Sequence, residues 1–160
     1  MELLKKLTSI RGVSSDESNI ASFIVDYCKS NMKNWKSQPT IIQGDGFQDC
    51  LILVFGKPRT TIYAHMDTIG YSVAYDNKLI KVGGPKIEDG IQLEGEDEHG
   101  YFKAETHLYE TLNGQNELHF VCEREVERGT LLSYSPKFKE TDIPQKLFSN
   151  RGVILHDIFF

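Results

Sequence analysis

Residues Ile62-Tyr63-Ala64-His65-Met66-Asp67 decide how this chain is read. A short apolar run carries a histidine and a carboxylate to its end, two positions apart. In an extended strand, residues i and i+2 point to the same side. His65 and Asp67 can therefore face one site together. A neutral imidazole is a good zinc ligand, and a neighbouring carboxylate can fix its tautomer and raise its basicity. A hydrolytic zinc site takes three or more protein ligands, and no later pattern at ligand spacing supplies the others.

Working upstream from His65, residues 60–65 read as a strand, and Gly56-Lys57-Pro58 breaks the chain before it. Residues 50–55 are nearly all apolar, as expected of a strand covered on both faces. Residues 39–43 read as a first strand, followed by a Gly44-Asp45-Gly46 turn. Leu3, Leu4, Leu7 and Ile10 share one helical face, with Gly12 as the stop. Ser14 and Glu17 have capping-box spacing for a second helix, whose expected apolar face is Ile20, Phe23, Ile24, Tyr27 and Cys28.

After Asp67 the pattern changes to short strands between turns. Asp76-Asn77 and Asn113-Gly114 are hairpin signals, and Gly83-Gly84-Pro85, His99-Gly100 and Arg128-Gly129 are further breaks. Candidate strands are residues 71–75, 79–82, 102–105, 117–122 and 130–134. Five closely spaced strands predict a small barrel or sandwich.

Composition narrows the function classes. Hydrophobic residues make up 39% of the 160, enough for a core, and the net charge is −5. Mixed charge of that sign argues against nucleic acid as a partner. No apolar stretch reaches the length of a membrane span, and the amino terminus lacks a signal-peptide pattern. Cys28, Cys50 and Cys122 are odd in number, with no CxxC pair. They read as reduced, mostly buried thiols of a cytoplasmic protein, with Cys50 inert in its apolar strand.

The order of these parts resembles the amino-terminal half of the glutamyl aminopeptidase or TET type of metallo-aminopeptidase. The likeness is carried by residues 3–17, by Ala64-His65-Met66-Asp67-Thr68-Ile69-Gly70-Tyr71, by Ile80-Lys81-Val82-Gly83-Gly84-Pro85 and by residues 128–136. It implies an α/β fold: a partial zinc-exopeptidase-like sheet with helices, plus a small PDZ-like all-β barrel insertion. It divides the chain into a peptidase-like part at 1–68, a barrel insertion at 69–136 and a truncated return segment at 137–160. It implies two zinc ions per site in the intact family, with His65 as a metal ligand. Asp67 matches the catalytic acid that stands behind that ligand and orients it.

The resemblance also marks departures. The segment expected to follow the insertion carries a metal-bridging aspartate. Its best match is Phe148-Ser149-Asn150-Arg151-Gly152-Val153, with Ser149 in the carboxylate's place. A neutral hydroxyl compensates two adjacent dications poorly. No Glu-Glu dipeptide occurs, so the family's general base has no match. The family's chains are roughly twice as long, and this one reads as truncated before most of its catalytic residues.

Other signals have plainer readings. His156-Asp157 is a polar pair with no ligand spacing around it, and His99, His107 and His119 read as turn or strand-face residues. Glu94, Glu96, Asp97 and Glu98 lack calcium-loop spacing and read as a solvated hairpin tip. Gly44 and Gly46 are no phosphate loop, and Ser14 and Ser15 lack a nucleophile-elbow context. The functional expectation is thus a metal-dependent aminopeptidase acting on peptide amino termini, inactive as these 160 residues alone. The alternative is a non-catalytic oligomerisation or peptide-binding module of the same descent. A homo-oligomer through the β-rich part or an exposed sheet is expected in either case.

Overall fold

The computed structural model describes residues 2–139, 147–149 and 154–155. Helices α1 (Glu2–Ser9) and α2 (Ser18–Asn31) precede a two-stranded antiparallel sheet of β1 (Pro39–Gly44) and β2 (Gln48–Phe55). Helix α1 ends three residues before Gly12. Ile20, Val25 and Cys28 form the buried stripe of α2, while Phe23, Ile24 and Tyr27 are only half-buried. Val25 therefore takes a core position that the sequence reading gave to its neighbours.

The second half is a six-stranded antiparallel sheet. Its strands are β3 (Gly70–Val73), β4 (Leu79–Val82), β5 (Gln92–Asp97), β6 (Gly100–Glu110), β7 (Asn116–Val121) and β8 (Leu131–Tyr134). Their order is β4-β3-β8-β5-β6-β7, and a bridge between Lys78 and His119 nearly closes the sheet into a barrel. Alternation builds its interior: Phe102, Ala104 and Thr106 of β6 point inward, as do Leu118 and Phe120 of β7. They meet Tyr71, Val73, Leu79, Leu93, Leu132 and Tyr134 in one core. The two predicted hairpins form, and Asp76 and Asn77 take positive φ of 56° and 57°, the backbone such a tight turn needs. A further small sheet has the order β11-β10-β9, from β9 (Phe138–Lys139), β10 (Leu147–Ser149) and β11 (Ile154–Leu155).

Three expectations need correction. Residues 58–67 form neither helix nor strand, and every residue from 55 to 65 is exposed. A strand needs a neighbour to complete its ladder, and this segment has none among the described residues. For the same reason β2 is not covered on both faces: Ile52 is 43% exposed and Cys50 is an exposed free thiol. Finally, Asp97 is not part of a solvated tip. Its side chain is 1% exposed and sits against Arg124.

That pair pins the β5–β6 turn. Arg124 donates from Nη2 to Oδ1 at 2.6 Å, from Nη1 to Oδ2 at 2.8 Å, and to the Gly100 carbonyl at 2.8 Å. Its guanidinium also lies 4.5 Å from the Phe102 ring centroid. The bidentate geometry holds the Asp97 carboxyl down at about 2, against the opposing effect of desolvation. A carboxylate whose folded value is depressed stabilises the fold above its unfolded value and loses that effect as pH falls. The barrel should therefore weaken between about pH 4 and about pH 2. Thermal melts of Asp97→Asn should lie below wild type at pH 7 and converge with it at the acid end. Parallel curves would remove the ion pair from that acid limb.

Candidate functional site

The HxD segment is held from below by the loop that follows α1. Thr68 N–H donates to the Gly12 carbonyl at 2.6 Å, and its hydroxyl reaches the same oxygen at 3.0 Å. Ser14 N–H returns a bond to the Thr68 carbonyl at 3.3 Å, and Val13 and Thr68 form a parallel bridge. Val13 is fully buried against the start of β3. The approach to His65 is unsupported, while the exit at Thr68 is fixed at several points.

His65 and Asp67 come together, although the segment that carries them is not a strand. Nδ1 of His65 lies 3.1 Å from Asp67 Oδ1 and 3.0 Å from the Asp67 backbone carbonyl. Both partners are acceptors once Asp67 is ionised, so Nδ1 carries the proton. In the neutral ring Nε2 is then left as a bare lone pair. The His65 side chain is 78% exposed, so that nitrogen faces outward. The other carboxylate oxygen, Oδ2, accepts the Ser14 hydroxyl at 2.6 Å. This bond is the main reason the Asp67 carboxyl stays below its ordinary range; desolvation opposes it and His65 assists.

Sequence reasoning gave Ser14 a capping role, and the structure gives it another. Helix α2 begins at Ser18, and its N-cap is Glu17 with no side-chain cap bond. The Glu17 backbone N–H donates to Asp49 at 3.2 Å, and Ser15 N–H to the Glu17 carboxylate at 3.0 Å. Ser14 and His65 occupy opposite oxygens of Asp67. The imidazole is thus not placed to take the hydroxyl proton, and the three residues do not form a nucleophile–base pair.

His65 offers one metal-ligand atom where a tetrahedral zinc site takes four. The described residues show no group of three ligand side chains that includes His65. They fit one arm of a zinc centre and do not fit a complete one. Asn150–Val153 and the His156-Asp157 pair lie outside the described residues, as does the Ser149 side chain. The ligand-bearing group that the described residues do show is Glu98, His99 and Glu127, all exposed, with ligand atoms within 4.8 Å of one another. There a hydrogen bond with Glu98 raises the Glu127 carboxyl above its ordinary value. In the sequence His99 reads as a turn residue without chemistry, and only the fold brings Glu127 beside it. Two open grooves, of about 710 and 500 Å3, lie along β5–β7 and beside the start of α2. Neither includes His65 or Asp67.

No protein-family model matches the chain, and no curated protein matches its sequence. Solved structures do. The TET protein PhTET1-12s, described as a dodecamer in its asymmetric unit, matches with a TM-score of 0.65 at 21% identity. That match covers 88% of this chain and 47% of the other. A protein described provisionally as a peptidase/endoglucanase matches with a TM-score of 0.60 at 21% identity, over 91% of this chain and 47% of that one. The chain has a peptidase-like fold, and it spans about half the length of these two chains. Among the described residues no helix is long and apolar enough to cross a membrane.

Proposed function

We propose that this chain is a distant relative of the metallo-aminopeptidases that carries one arm of their metal centre. His65 is its metal ligand, through Nε2, and Asp67 is the acid that orients it. The observation that supports this reading is the Nδ1–Asp67 contact at 3.1 Å, which leaves Nε2 bare and outward. The peptidase-like fold supports the lineage. The described residues place no further ligands beside His65, and no Glu-Glu dipeptide matches the family's general base, so we read the chain as catalytically silent alone. In this reading residues 1–68 are the peptidase-like part, 69–136 the barrel and 137–160 the return segment. Exposed Ile80 and Val121 on the barrel strands nearest its seam offer apolar surface for self-association.

The test is zinc content after supplementation, with aminopeptidase turnover on chromogenic leucyl and glutamyl substrates. The expected result is weak binding of zinc, lost in His65→Ala, and no turnover. Two tightly held zinc ions, or turnover that His65→Ala abolishes, would show that the chain holds a complete centre. Zinc binding indifferent to His65→Ala would remove the histidine from the metal site.

A further inference from the structure

The division of Asp67 between two partners has a consequence for His65. A carboxylate that is 38% exposed can rotate and exchange its acceptors with water. Here one oxygen is taken by the Ser14 hydroxyl at 2.6 Å, the short distance of an O–H donor on an ionised acceptor. That bond fixes the plane of the carboxylate and leaves Oδ1 directed at His65 Nδ1.

Ser14 is itself firmly placed. Its backbone N–H is bonded to the Thr68 carbonyl, and the preceding residue, Val13, is fully buried and bridged to Thr68. The following residue, Ser15, takes φ of 80°, a conformation that side chains other than glycine seldom adopt. The loop is therefore turned sharply just after Ser14. The hydroxyl contributes to none of these backbone contacts. It can be removed without cutting the ties between residues 12–14 and Thr68.

We propose that Ser14 is a positioning residue for His65: its hydroxyl locks Asp67 so that the imidazole holds its proton on Nδ1 and presents a bare Nε2. This deepens the reading of His65 as a metal ligand, and its usefulness to a metal rests on that reading. The orientation itself needs no metal. Carboxylates behind a ligating histidine act through tautomer and ring angle, and losing such a partner commonly weakens metal binding about 10- to 100-fold. Ser14 stands one bond further out, so the lower end of that range applies.

The experiment uses the full chain in two states. The metal-free protein, at a fixed pH where imidazole is neutral, is examined by long-range nitrogen–proton NMR correlation for the His65 tautomer. Wild type should show the Nδ1–H form as dominant. Ser14→Ala should reduce the Nδ1–H population to the part that the Asp67 backbone carbonyl still holds, with the fold retained and the thermal midpoint slightly lowered by loss of the Ser14–Asp67 bond. Ser14→Thr, which keeps the hydroxyl, should restore the wild-type spectrum. Titration with zinc alone should then show affinity about tenfold lower in Ser14→Ala.

A wild-type tautomer that persists in Ser14→Ala would overturn the proposal, and so would a wild type with no Nδ1–H preference. If the tautomer responds as expected but zinc binding ignores His65→Ala, the positioning role stands and the metal reading falls.

Discussion

Gly70→Ala should destabilise the protein by about 3 kcal/mol, the upper part of the usual range for an overpacked site. Gly70 opens β3 and pairs with Ser133 of β8 and with Val82 of β4. A Cβ built there would lie 2.4 Å from the Leu132 carbonyl oxygen and 2.8 Å from Val13 Cγ2. The first atom is backbone in the middle of the sheet, so it cannot swing aside as a side-chain end can. Relief must come from displacing β3 or expelling Val13. Either response loosens the loop that carries Ser14, whose hydroxyl is bonded to the Asp67 carboxylate at 2.6 Å. Denaturant unfolding should show a lower midpoint with an unchanged slope. The His65 tautomer should become mixed in the still-folded fraction. A midpoint equal to wild type would mean that the β3–β8 pairing is wider than described.

The legible and illegible parts of this fold divide along a physical line. Where local chemistry decides, the sequence was sufficient. Asp76-Asn77 and Asn113-Gly114 specify their turns through backbone preference, and the strands beside them follow by alternation. The HxD contact spans only two residues, so it forms locally even though the strand expected to carry it does not. Where the outcome depends on a distant partner, reading failed. Residues 60–65 have a strand's composition, but a strand is a property of a ladder, and no neighbour pairs with them in the described chain. Cys50 and Ile52 point outward because β1 and β2 form a sheet of only two strands. Strand β5 is not legible in the sequence because one inward position is Gly95, which hides the alternation among the glutamates. Asp97 is buried because Arg124 reaches it from 27 residues away. Ser14 fits a capping box as well as it fits its actual partner, 53 residues on. One hydroxyl has one proton, and only the folded chain shows which acceptor receives it.

Leu132→Ala should cost more than any other single change discussed here, about 4 kcal/mol. Leu132 is fully buried on β8, the strand that joins β3 to β5. Its side chain fills the space that Gly95 leaves open on β5: a Cβ on Gly95 would fall 2.4 Å from Leu132 Cδ2 and 2.8 Å from Phe102 Cζ. Truncation therefore removes packing at the centre of the sheet, beneath both the β5–β6 turn and the strand that follows the HxD segment. The same geometry predicts a change of sign. Gly95→Ala should destabilise the wild type, because the added methyl meets a side chain already in place. In the Leu132→Ala background that methyl enters the vacated volume and should recover part of the loss. A double-mutant cycle read by urea unfolding should thus give a large coupling, of order 1–3 kcal/mol, in the direction of rescue. Additive effects would mean that the two strands do not pack face to face at this level, and the barrel core would have to be drawn differently. The effect of Phe102 limits the recovery, since its ring edge still crowds the methyl after Leu132 is shortened.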